Sequence, residues 1–334
     1  MDQRGRRKML EILRVLAEAD RPLGGTRIAQ ALELAGRPMS QRTIRYYLER
    51  SDREGLTEPV GRRGRRLTRA GREELEGAFV VEKVGFVAAR VDSLTYRMRF
   101  SLRQARGQVV VNLSAIKSGL MPQAARLMQR VFAAGLAMGQ RLVIVEPGGR
   151  LGDWRVEPGN YGVATICSVT VNGVLLAEGI PTTSRFGGLL QYQEGRPQRF
   201  TQIIHYDGTT LDPLEIFIKS RMTSVGRAAA GGAGLVGASF REIPAPAAEA
   251  ARRLAARMAK AGLGGVLLLG RPGQPLLEVP VSPGRVGLVV IGGLNPLAAV
   301  EEAGIPTQNR AMGTLLPFEE LLPYQRVLGR FLGG

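Results

Sequence analysis

Arg62, Arg63, Arg65 and Arg66 crowd around Gly64 in the stretch PVGRRGRRLTRAG at residues 59–71. Like charges this close repel one another unless an anion lies along them, and the guanidinium fork matches the oxygens of a phosphate. Residues 1–76 carry 18 Lys and Arg against 12 Asp and Glu, and residues 40–72 carry ten against four, a surplus of six in both cases. The basic excess of the first 76 residues is thus concentrated around this bend, the footprint of contact with a nucleic-acid backbone. A net charge of +17 over 334 residues agrees with an anionic partner without identifying it.

Other chemistry is sparsely supplied. A single cysteine, Cys167, leaves no intrachain disulfide, and a single histidine, His205, leaves no Cys/His zinc cluster. GAGLVG at 232–237 has the letters of a dinucleotide-binding loop, but such a loop follows a strand and opens a helix. Here it follows an Ala/Gly-rich stretch and precedes the strand-like ASFREIPAP. G-x-S-x-G, H-E-x-x-H and P-loop patterns are absent from the chain. His205 lies in the β-like run QIIHY and Cys167 at an apolar strand-to-helix junction, so both read as structural residues. Without a nucleophile, base and orienter set, the expectation is a protein that is not an enzyme and needs no metal or cofactor. No run of about 18 apolar residues marks a membrane span, and Glu11, Arg14 and Glu18 interrupt any signal-peptide core. The expected location is the cytoplasm.

The elements that must position the arginines can be read from periodicity. Met9, Ile12, Leu13 and Leu16 form one apolar helical face. After DRPLGG, Thr26 is placed to cap a short helix burying Ile28, Ala29 and Leu32, which AGRPM ends. Ser40 caps QRTIRYYLERSDREG, with Ile44, Tyr47 and Leu48 inward. Two short extended runs follow, joined at Gly64, then RAGREELEG as a closing helical turn. Helix, turn, helix and hairpin make a winged helix-turn-helix over 1–76. In that plan Gln41, Arg42 and Arg45 face the major groove, where Gln pairs with adenine and Arg with guanine. Ser40, Thr43 and Tyr46 hold phosphates, and the four wing arginines lie along the backbone.

Beyond a junction at 77–83 the chain reads as a duplicated α/β body. Residues 161–190 align without a gap to 286–315, and six of the last eleven positions are identical: Ile180/Ile305, Pro181/Pro306, Thr182/Thr307, Arg185/Arg310, Gly188/Gly313 and Leu190/Leu315. The fold class expected is therefore multidomain α/β (α+β), with a winged helix followed by two related lobes, 84–220 and 235–334. The flexible-looking SVGRAAAGGAG joins them. A basic head on an unarmed, duplicated body has the design of a ligand-responsive transcription regulator.

The head segment SQRTIRYYLERSDREGLTEPVGRRGRRLTRAGREEL resembles the winged-helix domain named after ribonuclease R. ICSVTVNGVLLAEGIP, FREIPAPA, VGLVVIGGLNPLAAVEEAGI and RAMGTLLPFEEL resemble the regulatory domain of the NrpR repressors, together spanning most of 84–322. Some members of that family carry two tandem regulatory domains, whereas this chain carries one, itself internally duplicated. The resemblance implies a repressor of nitrogen-assimilation genes that binds a palindromic double-stranded DNA operator as a homodimer and is released by the effector 2-oxoglutarate. It places Ser40–Tyr46 in operator reading and the Cys167–Asn172 segment, with Ser168 and Thr170, in the 2-oxoglutarate response. A dicarboxylate needs two anion pockets, and the repeated IPTxxR supplies Thr182 with Arg185 and Thr307 with Arg310, expected near Cys167 and Ser168. The same repeat also reads as a turn and strand reproduced twice for the sake of the fold. The competing reading is a winged-helix small-molecule sensor or metabolic enzyme whose basic head contacts RNA or protein.

Overall fold

The computed structural model describes residues 3–19, 21–78 and 86–332. The chain divides into two compact units, which part at residues 85 and 86. In the first, α1 (Gln3–Ala17), α2 (Gly25–Leu34) and α3 (Gln41–Arg53) are followed by β1 (Thr57–Pro59), a 3-10 turn (Gly61–Arg63), β2 (Arg65–Leu67) and α4 (Arg69–Ala78). This is a winged helix. Ile12, Leu13, Leu16, Ile28, Leu32, Ile44, Leu48 and Leu67 form its core. Ser40 caps α3 as its position predicts, but the cap expected of Thr26 is not made. Helix α2 begins two residues earlier than a Thr26 cap would place it, at Gly25, with Gly24 in the cap position and no side-chain bond. Only 77 and 78 of the expected 77–83 junction are among the described residues, as the end of α4.

The second unit opens with α5 (Val87–Arg97) and the short β3 (Phe100–Ser101), and then runs through one pattern twice. The first repeat comprises β4 (Arg106–Lys117), α6 (Met121–Ala133), β5 (Arg141–Val145), the small hairpin of β6 (Arg150–Leu151) and β7 (Trp154–Arg155), β8 (Asn160–Ile166), α7 (Val169–Ala177) and β9 (Thr183–Gln193). Between the repeats lie β10 (Arg196–His205), α8 (Pro213–Lys219) and α9 (Val225–Ala229). The second repeat comprises β11 (Gly234–Pro244), α10 (Ala248–Lys260), β12 (Val266–Leu269), β13 (Arg285–Ile291), α11 (Asn295–Glu302) and β14 (Thr307–Pro317). The tail adds β15 (Leu322–Pro323) and α12 (Tyr324–Gly329).

Two antiparallel sheets result, ordered β14-β4-β8-β5-β15 and β10-β9-β11-β13-β12. The final strand of each repeat leaves its own sheet and pairs with the first strand of the other: β14 runs along β4, and β9 along β11. The lobe limits 84–220 and 235–334 therefore mark sequence repeats that the sheets cross, and one hydrophobic core draws on both halves. GAGLVG leads into β11 rather than out of a strand, so no phosphate-binding turn is built there. Nor is SVGRAAAGGAG a slack linker. Its helix α9 buries Val225 and Ala228, and the Val225 and Gly226 N–H groups donate to the Glu302 carboxylate at 2.7 and 2.8 Å.

The repeated EGIP and AGIP have a local physical cause. Gly179 and Gly304 follow the caps of α7 and α11 with φ of +74° and +82°, a left-handed conformation that glycine adopts without strain. Behind them the Ile180 and Ile305 N–H groups reach back to Leu175 O at 2.9 Å and Val300 O at 3.2 Å, while both isoleucine side chains are buried. Each helix thus ends in the same carbonyl-satisfying motif before its strand leaves for the other sheet.

A second device recurs with different residues. Thr170 Oγ1, in α7, accepts from Val110 N at 3.1 Å and donates to Val110 O at 3.0 Å. Asn295, at the equivalent position of α11, accepts from Gly237 N at 2.9 Å and donates to Gly237 O at 3.0 Å and Leu136 O at 3.0 Å. These fully buried groups pin each helix start to the first strand of one repeat. Asn295→Ala would take this partner from Gly237 N and Leu136 O, while Gly237 O keeps the Gly292 N–H at 2.8 Å, and we expect a loss of about 2–4 kcal/mol in denaturant unfolding with the slope unchanged.

Candidate functional site

The outer face of α3 is what the head offers to a partner. Gln41, Arg42 and Arg45 are exposed, and Tyr46 is 53% exposed. Arg42 and Arg45 enter no ion pair among the described residues. Ser40 Oγ accepts from Thr43 N at 3.2 Å and lies 2.8 Å from Thr43 Oγ1, so these two hydroxyls first serve the helix start. Ile44 and Leu48 are buried beneath this face, which fixes the direction in which the polar side chains project.

The four wing arginines do not form one set. Arg65 Nε donates to Asp52 Oδ2 at 2.7 Å, and Asp52 Oδ1 accepts from the buried Thr57 hydroxyl at 2.6 Å. Arg65 therefore ties the hairpin to α3 and is withdrawn from the phosphate-facing role expected of it. Arg66 pairs across the strands with Glu58. Arg63 is exposed on the 3-10 turn; Arg62 shares that turn, and its side chain lies outside the described residues. Gly64 is required for a reason beyond the bend. Its φ is +116°, and a Cβ there would lie 2.2 Å from the Leu23 carbonyl carbon, where Leu23 and Arg65 exchange backbone bonds of 2.9 and 3.0 Å.

In the body, β8 hands over to α7 at Cys167 and Ser168, directly against β11 of the other repeat. Arg241, on β11, is 1% exposed. Its Nη1 donates to Ser168 O at 2.7 Å and Asn172 Oδ1 at 2.5 Å, and its Nη2 donates to Ser168 Oγ at 2.9 Å. Asn172 in turn donates to Ser184 Oγ at 3.0 Å. Burial pushes the Cys167 thiol up to about 11, which keeps it protonated and a poor nucleophile at neutral pH. Burial also raises the Tyr206 phenol. Alongside, Arg90 donates to Ala311 O at 3.1 Å, Glu215 accepts from Ala311 N, and Asn112 Oδ1 accepts from Met312 N at 3.2 Å. These contacts hold the bulge where β14 shifts register against β4.

Of the expected effector residues, the fold brings Cys167, Ser168 and Asn172 together around Arg241, whereas Thr170 is spent on Val110. The paired IPTxxR segments go to different sheets. Arg185 Nη1 donates to Glu242 Oε1 at 2.8 Å and Ser282 Oγ at 3.0 Å. Thr307 donates to Glu301 Oε1 at 2.8 Å, Arg310 is exposed on β14, and the Thr182 hydroxyl is buried without a partner. Arg185 and Thr307 are thus committed to the fold, and no hydrogen bond or ion pair among the described residues joins the two copies. Arg241 was not anticipated. Its signal is a lone guanidinium in GLVGASFREIP, a strand otherwise buried on both faces. Among the described residues no group of three or more His, Cys, Asp or Glu could hold a metal ion, and no helix is long and apolar enough to cross a membrane.

Comparison with known proteins adds to this geometry. The family of NrpR regulatory domains NRD1 and 2 matches residues 84–322, and the ribonuclease R winged-helix domain matches residues 10–75. The chain is 35% identical to the global nitrogen regulator NrpRI of Methanosarcina mazei over 96% of its own length and 99% of that protein. It is 31% identical to the global nitrogen regulator NrpR of Methanococcus maripaludis, covering 88% of this chain but 51% of that one. Among solved structures, a nitrogen repressor-like protein from Methanococcus jannaschii superposes on 72% of this chain and 98% of its own, with a TM-score of 0.60 and 28% identity. The curated relatives are named as regulators, not enzymes.

Asp212 caps α8, accepting from Leu214 N at 2.9 Å. Burial, with the Glu215 charge adding to it, raises this carboxyl to about 6. The folded protein therefore holds the proton to a higher pH than the unfolded chain does. Stability from this group is present at low pH and is lost as pH rises from about 4 through about 6. Asp212→Asn keeps an acceptor and removes the titration. Its unfolding free energy relative to wild type should rise by about 1–3 kcal/mol between about pH 4.5 and pH 7.5; parallel pH profiles of the two proteins would sink this assignment.

Proposed function

Since the chain belongs to the NrpR family of nitrogen regulators, we propose that it is a transcriptional repressor of nitrogen-assimilation genes. It binds a palindromic operator as a homodimer through its winged helix and is released when 2-oxoglutarate occupies the duplicated body. One observation carries the DNA reading: the solvent face of α3 is made of Gln41, Arg42, Arg45 and Tyr46, unencumbered by ion pairs among the described residues. Helix-start residues of this kind reach base edges in the major groove while a hairpin tip follows the backbone. Exposed Arg63, with Arg62 in the same turn, supplies that tip. The body supports effector binding by offering a buried cation ringed by neutral oxygens, where an organic anion gains most from charge-assisted bonds.

Release needs only linkage. If 2-oxoglutarate prefers a body geometry that misplaces the two heads relative to the half-sites, operator and effector weaken each other by the same factor, about 5–150-fold for a coupling of roughly 1–3 kcal/mol. Enrichment of the purified protein on random duplex DNA at several salt concentrations, with and without 2-oxoglutarate, tests this directly. The expected result is a palindrome that is retained at low salt and shed when the acid is added. Retention without sequence preference, or preference for single-stranded RNA, would overturn the DNA reading, and an unchanged operator affinity would overturn the effector. Arg42→Ala and Arg45→Ala should each cost about 1–3 kcal/mol of operator affinity. Arg63→Ala should lower the salt slope by about one. Arg65→Ala should lower the melting temperature of the head, because it breaks the tie to Asp52.

A further inference from the structure

We infer that Arg241 is the carboxylate receptor of the body, and that it takes one small organic acid per chain at the seam between the two repeats. The inference deepens the effector reading above and rests on it. A guanidinium has five N–H donors and no acceptor, and it enters a protein interior against a carboxylate, or with every donor matched by other oxygens. Arg241 has neither arrangement. Its partners are one backbone carbonyl, one hydroxyl and one amide oxygen, all neutral, and its Nε, buried with the rest of the side chain, has no hydrogen-bond partner. The Nε–Nη2 edge is one of the two edges on which an arginine holds both oxygens of a carboxylate, and here only Nη2 is engaged, by the Ser168 hydroxyl. A buried cation lacking its counter-ion, with one fork prong vacant, is a site prepared for an anion brought from outside.

The duplication shows that this is not a general feature of the fold. Strand pairing sets Arg241 opposite Leu288 and Ser114 opposite Val163, which makes Ser114 the counterpart of Arg241 in the first repeat. Ser114 carries a neutral hydroxyl where Arg241 carries a guanidinium. The counterparts of Cys167 and Ser168 are Gly292 and Gly293, and a Cβ at Gly293 would lie 2.1 Å from Ile166 O and 2.6 Å from Asn112 Nδ2. That end of the seam is closed by close-packed backbone. One repeat thus keeps the receptor and the other has filled the equivalent space, so the expected stoichiometry is one acid per chain despite two IPTxxR segments.

The test is calorimetric titration of the full chain with 2-oxoglutarate, succinate, glutarate, citrate and inorganic phosphate, on wild type, Arg241→Gln, Arg241→Lys and Arg185→Gln. We expect one site per chain in wild type. Affinity should fall roughly 30-fold or more in Arg241→Gln and at least about tenfold in Arg241→Lys, whose ammonium keeps the charge and loses the fork. Arg185→Gln should bind as wild type does. Circular dichroism and melting curves establish that each variant is folded. If Arg241→Gln fails to fold, a crystal structure of the wild-type complex decides, by the presence or absence of a carboxylate oxygen within about 3.2 Å of Arg241 Nε. Undiminished binding in both Arg241 variants, two equivalent sites per chain, or no binding of any acid would overturn the inference, as would phosphate in preference to every carboxylate. Binding of another carboxylate but not 2-oxoglutarate would uphold Arg241 as receptor and overturn the effector named above.

Discussion

Backbone pairing between the last strand of each repeat and the first strand of the other is the constraint on which the body depends. Residues 109–116 of β4 and 236–243 of β11 are buried. Their N–H and C=O groups would otherwise face an apolar interior without partners, which is costly. The exchange of β9 and β14 gives each of them a neighbour on both sides. Helix α7, which precedes β9, starts at the seam, and its cap residue Ser168 and first-turn Asn172 meet a side chain from the opposite repeat.

Much of the head was legible from local rules. The cap at Ser40, the inward Ile44 and Leu48 and the hairpin at Gly64 all follow from spacing and from the conformations those residues favour. Arg65 shows where local reading stops. Its partner Asp52 lies thirteen residues back, and nothing in RRGRR distinguishes the arginine that anchors the wing from the one that faces solvent. In the body the repeat was plain, and so was the likeness of its helix ends. The crossing of the sheets was not, since two repeats in one chain pair equally well within themselves or with each other. Arg241 carries no such signal, because the repeat marks residues that occur twice and this arginine stands opposite a serine in the other copy.

The two halves are copies in backbone and not in chemistry. Thr170 and Asn295 perform the same clamp with a hydroxyl and an amide. Thr307 satisfies Glu301, while its counterpart Thr182 has no partner. Duplication fixed where helices start and strands leave, and side chains then diverged within that frame. Of the residues kept in both copies, the buried Ile180 and Ile305 end their helices in the same way, whereas Arg185 pairs with Glu242 and its counterpart Arg310 is exposed.

The crossing of β9 and β14 has the topology of an exchange between two copies. Cut between β10 and β11, each half would keep a strand that belongs in a neighbour's sheet, together with a first strand short of its own partner. Two such halves satisfy one another by trading strands about a two-fold axis, the arrangement of a strand-swapped homodimer. The body reproduces the strand pairing of such a dimer on one polypeptide. On one polypeptide the two ends need not be identical, so one repeat can carry Arg241 where the other carries Ser114, whereas a true two-fold would impose the same residue twice.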